Sequence, residues 1–211
     1  MGEFHVAHIH AESQPGAHAH RTLGDLAEER PLDAVVAGVD AVVHLAARVH
    51  MMRETAADPL VIYRRVNVDG TRRLAEAAVR TGVGRFVLMS SVKVNGERTS
   101  TRPFVEGDPP APADAYGISK REAEETLAGI AANTGLSAVV LRTPLVYGPG
   151  VGANFRALLR WCDGPWPLPF GGVTGNRRSL ICLANLVDAA AVALVHPSAS
   201  GVYLVSDDDD L

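Results

Sequence analysis

Tyr116 and Lys120, in the run Tyr-Gly-Ile-Ser-Lys, are the residues of this chain best suited to moving a proton. The sequence writes its 20 Lys plus Arg almost entirely as arginine, and only Lys93 and Lys120 are lysine. Four residues apart, Tyr116 and Lys120 share one face of a helix. An ammonium there favours the phenolate and is expected to draw the tyrosine pKa down from its reference of about 10. A phenol tuned toward neutral pH can take a proton and return it. Ser91 ends the run Arg85-Phe-Val-Leu-Met-Ser-Ser91, short and apolar as a buried strand is, and the glycine-containing Val92–Gly96 follows. A serine at the carboxyl end of a parallel strand lies where open α/β sheets bind ligands. One strand end and one helix face would bring Ser91, Tyr116 and Lys120 to a single crevice. Each has a plainer reading, as a loop hydroxyl or a surface pair. Together they favour a catalytic triad.

The elements that must position these residues alternate along the chain. Ala41–Leu45 reads as a buried strand and 56–80 as mostly helical, with Leu74, Ala77 and Ala78 apolar and Gly82 and Gly84 ending it. Arg85–Met89 reads as the next strand. The helix carrying Tyr116 is expected over Asp114–Asn133, capped by Asp114 after the proline-rich 108–112. Strands are expected at Ala138–Leu141 and Gly201–Val205, and helices at 151–161 and 183–195. Such alternation argues for a parallel sheet covered by helices.

Composition narrows the function. A chain of 211 residues, 47% hydrophobic, suits one α/β domain with a substantial core. It has no apolar run long enough to span a membrane, and its first residues lack the apolar segment of a signal peptide. At net charge −4 its arginines are scattered, so neither nucleic acid nor a membrane is an expected partner. Cys162 and Cys182 lack C-x-x-C spacing and read as free thiols of a reducing, cytoplasmic setting. Residues 1–20 form a His-rich leader holding His5, His8, His10, His18 and His20, in which Phe4–Ile9 could make one strand. Without a partnering Cys or carboxylate cluster, a solvated leader is favoured over a metal site.

Several ordered motifs resemble the extended short-chain dehydrogenase/reductases, in the NAD-dependent epimerase/dehydratase branch acting on nucleotide-sugars. They are Gly24-Asp-Leu26, Val42-Val-His-Leu-Ala-Ala47, Asn67-Val-Asp-Gly-Thr71, Ser90-Ser91, Tyr116-x-x-x-Lys120, Arg142-Thr-Pro-Leu-Val-Tyr-Gly-Pro149 and Arg177-Arg178. The resemblance covers residues 21 to 211 and implies a Rossmann-like domain there, with part of the substrate-binding region at about 150–211. One departure is large. The family opens with a strand, a G-x-x-G-x-x-G turn and a helix whose N-terminus holds the cofactor pyrophosphate. In residues 1–24 only the isolated Gly2, Gly16 and Gly24 occur. The fold is therefore expected to be incomplete at the N-terminus and in the C-terminal substrate region, with an apolar strand edge beside 42–45.

The resemblance also implies roles. Cofactor contacts fall on Asp25, Leu26, Leu45, Ala46, Ala47, Asn67, Lys120 and Pro144, and the cofactor would be NAD, with NADP the other option. Nucleotide-sugar contacts fall on Ser91, Lys93, Asn154 and Arg178, a guanidinium being suited to a diphosphate. Taken alone, Asp25 would be a turn acid, Asn67 a helix-face polar group and His44 a satisfied strand-end histidine. The implied reaction is reversible hydride transfer at a sugar C4, with Tyr116 as acid and base and Ser91 on the reacting oxygen. Dehydratases of the family carry an Asp-Glu pair after the serine/threonine position. Here Val92-Lys93 follows Ser91, which disfavours dehydration. The expectation is a homodimeric epimerase resembling UDP-glucose 4-epimerase. A 4-ketoreductase and a catalytically silent remnant are the alternatives.

Overall fold

The computed structural model describes residues 25–49, 58–165, 172, 175–208 and 210, the side chains of 153 and 154 excepted. The His-rich segment at 1–20, and with it Phe4–Ile9, lies outside the described residues. The elements run α1 (Asp33–Val36), β1 (Ala41–His44), α2 (Pro59–Tyr63), a π-helical stretch (Arg64–Val68), α3 (Asp69–Arg80) and β2 (Arg85–Ser91). A 3₁₀ turn (Val92–Val94) and α4 (Ala115–Ala132) follow, then β3 (Ser137–Thr143), β4 (Leu145–Tyr147), α5 (Ala153–Cys162), β5 (Leu180–Cys182), α6 (Leu183–Val195) and β6 (Gly201–Leu204).

Four strands form one sheet in the order β1-β2-β3-β6, each pair parallel. β2 is central, and Phe86, Val87 and Leu88 are wholly buried, so both faces of the strand are covered. Phe86 and Leu88 face a core with Leu74 of α3 and with Ala123 and Leu127 of α4. Val87 and Val139 face the opposite core, closed by Ala193 of α6. Alanines at 75, 77 and 78 let α3 lie close against the sheet, and all three are wholly buried. Helices therefore cover both faces of a parallel sheet, as the sequence predicts.

Register decides where chemistry can gather. His44 pairs with Leu88, and Ser91 pairs with Thr143, so the carboxyl ends of β1, β2 and β3 open on one edge. α4 passes that edge at its N-terminal end, where the Asp114 carboxylate accepts the Gly117 N–H at 2.7 Å and caps the helix. β4 and β5 pair separately, in parallel. Asp207 fastens them, accepting from the Tyr147 hydroxyl at 2.8 Å, the Cys182 N–H at 2.9 Å and the Asn185 amide at 2.7 Å.

Candidate active site

Ser91 occupies the last position of β2, and its Oγ caps the 3₁₀ turn by accepting the Lys93 N–H at 3.3 Å. Tyr116 lies in the first turn of α4, near enough to the Ser91 hydroxyl for that group to act on its pKa. Gly117 makes this approach feasible. A Cβ at that position would lie 2.9 Å from the Lys93 carbonyl oxygen, so only glycine lets the turn after β2 and the start of α4 come so close. The aromatic ring of Tyr63, at the end of α2, stands edge-on to Tyr116 at 6.2 Å between centroids. Its hydroxyl donates to the Val49 carbonyl at 3.1 Å, and the Arg48 guanidinium lies 5.7 Å from the Tyr63 ring centre.

Lys120 corrects one expectation. Its ammonium is buried and donates to the Met89 carbonyl at 2.6 Å. Burial lowers its pKa to about 8, opposed by the charge of Glu124. Tyr116 is shifted upward, because desolvation outweighs the influence of the Ser91 hydroxyl and the nearby charge of Lys93. The charge of Lys93 lowers it only in part, and the tyrosine is not drawn toward neutral pH. Lys93 itself bridges Asp114 at 2.5 Å and Glu97 at 3.0 Å, tying the turn after β2 to the cap of α4.

Asn67, 1% exposed in the π-helical stretch, clamps the loop after β1. Its Oδ1 accepts the Arg48 N–H at 2.8 Å, and its amide donates to the Arg48 carbonyl at 3.1 Å and the Ser119 hydroxyl at 2.9 Å. Leu45 is 63% exposed beside that clamp, with Ala46 and Ala47 half-buried. His44 is buried as a neutral ring, its pKa lowered to about 3 by desolvation and by the charge of Lys120. The Thr71 hydroxyl donates to the Asn67 carbonyl at 2.6 Å, so it must accept from His44 Nε2 at 3.1 Å. His44 Nδ1 is left as a buried acceptor without a partner among the described residues. The histidine is therefore satisfied on one side only.

The remaining expected residues fall in different places. Pro144 directly follows β3, half-buried, one residue beyond the Thr143 that pairs with Ser91. Asp25 accepts the Ala27 N–H at 2.8 Å, the turn role its type suggests, and Leu26 is buried against Gly70. Arg177 and Arg178 are exposed just before β5. Asn154 lies on α5, and its side chain is outside the described residues. Tyr63, Ser119 and Glu124 escape sequence reading. Each was one polar or aromatic residue among many in a helical run, and only their placement on one face could have marked them.

Comparison with known proteins places this geometry. A model of the NAD dependent epimerase/dehydratase family matches residues 4–205. The chain is 44% identical over 191 residues to a UDP-glucose 4-epimerase of Vibrio cholerae, covering 90% of this chain and 58% of that protein. It is 32% identical over 192 residues to the N-acetyl-alpha-D-glucosaminyl-diphospho-ditrans,octacis-undecaprenol 4-epimerase of Escherichia coli O157:H7, covering 90% and 56%. Among solved structures, a DesIV double mutant (dTDP-glucose 4,6-dehydratase) from Streptomyces venezuelae with NAD and DAU bound is similar at a TM-score of 0.77 and 27% identity, over 93% of this chain and 61% of that one. MoeE5 in complex with UDP-glucose and NAD is similar at 0.74 and 28%, over 93% and 66%. The chain thus spans a little over half the length of these two curated relatives. The fold is the Rossmann-like one expected.

Proposed function

The chain belongs to the NAD-dependent epimerase/dehydratase family, and we propose that its site epimerises a nucleotide-sugar at C4, as a UDP-glucose 4-epimerase does. One observation carries the reading. Ser91 at the end of β2 and Tyr116 in the first turn of α4 come together at the carboxyl edge of a parallel sheet, with Lys120 buried on the same helix. NAD would supply reversible hydride acceptance there. The residues fit its nicotinamide end: exposed Leu45 beside a clamped loop, a buried His44 Nδ1 without a partner among the described residues, Pro144 directly after β3 and the buried ammonium of Lys120. At the adenine end, Asp25 and Leu26 are the candidate contacts.

Ser91 orients the sugar hydroxyl and steadies charge on its oxygen as the carbonyl forms. Tyr116 takes the hydroxyl proton and returns it after the keto-sugar has turned over. The buried ammonium of Lys120 offsets the negative charge that Tyr116 acquires. Lys93 is the candidate contact to the sugar, with Asn154 and Arg178 toward its nucleotide. Val92 and Lys93 follow Ser91, where a dehydratase would need an acid pair, and Lys93 is held by Asp114 and Glu97. That favours epimerisation over dehydration. A homodimer paired across α3 and α4 belongs to the same reading. Incubation of the chain with UDP-glucose and NAD should yield UDP-galactose by proton NMR, with none from Tyr116→Phe. Equal conversion by both proteins would refute the mechanism.

A further inference from the structure

Glu124 sits one helical turn beyond Lys120 on α4, and both are buried, at 6% and 2% exposed. Its Oε1 accepts the Ser90 hydroxyl and Arg142 Nε, the latter at 3.1 Å. Its Oε2 accepts Arg142 Nη2 at 2.7 Å. Arg142, itself 5% exposed, spends Nη1 on the Asn95 side chain at 3.0 Å, just past the 3₁₀ turn. The neighbouring Thr143 hydroxyl donates to the Ser90 carbonyl at 3.3 Å. The end of β2 and β3 therefore converge on one carboxylate of α4, and the segment after the 3₁₀ turn joins them through Arg142. A buried ion pair is a poor source of net stability, because desolvation offsets its attraction. Its value lies in what it holds in place.

We propose that Glu124 is a positioning residue of this site: its carboxylate is the counter-charge of the buried Lys120 and, through Ser90 and Arg142, locks the strand end of Ser91 to the helix of Tyr116. The catalytic meaning rests on the reading given above, whereas the lock stands on the hydrogen bonds from Ser90 and Arg142. Lys120 feels the charge of Glu124 on its own helix, acts on His44 of β1 and donates to the Met89 carbonyl of β2. Arg142 of β3 lies behind Glu124, and Lys93 acts on Tyr116. His44 is neutral, which leaves Glu124 as the anion that keeps a proton on Lys120.

With only two lysines in the chain, carbon-13 labelling at Cε yields two lysine signals, assigned with Lys93→Arg. The Lys120 signal should titrate with a midpoint near 8. Glu124→Gln should lower that midpoint by about one unit or more, while the Lys93 midpoint holds. Because Glu124→Gln strands Arg142, the variant Glu124→Gln/Arg142→Met removes both charges and should show a smaller fall, since a cation that also depresses Lys120 has gone. Glu124→Asp, which keeps the charge, should return the midpoint toward that of the unaltered chain. An unmoved Lys120 midpoint in either folded charge-removed variant overturns the proposal. Neither cofactor nor turnover enters this titration. A shifted Lys120 in a chain without epimerase activity would refute the functional reading and leave this one standing.

Discussion

Tyr116 keeps its proton at neutral pH in the cofactor-free chain, because burial outweighs the influence of the Ser91 hydroxyl and the charge of Lys93. The four tyrosines allow a direct check. The phenolate absorbance that separates the chain from Tyr116→Phe should emerge at higher pH than that of an exposed tyrosine; its appearance at lower pH would contradict the account. The same substitution should cost about 10²- to 10⁴-fold in turnover, the usual worth of a general acid–base group. Its Tm should move by only a degree or two, since the ring remains against Tyr63. The Tyr-x-x-x-Lys spacing was legible as chemistry. The direction of the tyrosine shift was not, because it depends on how deeply both groups are buried and on Lys93 arriving from another segment.

At the level of elements, the approach of α4 to the turn after β2 depends on Gly117. Alanine is ordinarily the better helix residue by about 1 kcal/mol. Here its methyl would press on the Lys93 carbonyl, so Gly117→Ala should destabilise the chain by roughly 1–3 kcal/mol in urea unfolding. A stabilised Gly117→Ala variant would show that the contact is not as close as described. Asp114→Ala removes both the cap and the partner of Lys93, and a loss of about 1–2 kcal/mol is expected from the cap alone. The strands at 41–44, 85–91 and 137–143 were legible, because continuous apolar runs mark strands covered on both faces. The helix carrying Tyr116 was legible from its cap and the prolines before it. α1, β4 and β5 were not, being three or four residues long. Nor was the π-helical stretch, since five residues cannot show a changed period. Glu124 was equally hidden. In the run Glu122-Ala-Glu-Glu125 nothing but the fold distinguishes a buried acid from its solvated neighbours.

For the molecule as a whole, two buried bases shape stability against pH. His44 stays neutral in the folded chain down to about pH 3, whereas an unfolded histidine takes up a proton below about 6.5. The stability this contributes is complete above 6.5 and is lost as pH falls toward 3, amounting to about 2–3 kcal/mol at pH 4.5. Urea midpoints at pH 7 and 4.5 should show the loss, and His44→Gln should reduce it. Lys120 works from the other side. Its folded pKa near 8 lies below the ordinary lysine value of 10.5, so its burial costs stability in full below 8 and the cost disappears as pH rises toward 10.5. The chain spans a little over half of the two curated relatives compared above, and its sequence has no G-x-x-G-x-x-G turn. Whether it grips the dinucleotide is therefore the central question. Titration of the folded chain with NADH, followed by nicotinamide fluorescence, answers it most directly. Saturable binding that weakens in Lys120→Met is the predicted result. A chain that unfolds cooperatively yet shows no saturation would contradict the account.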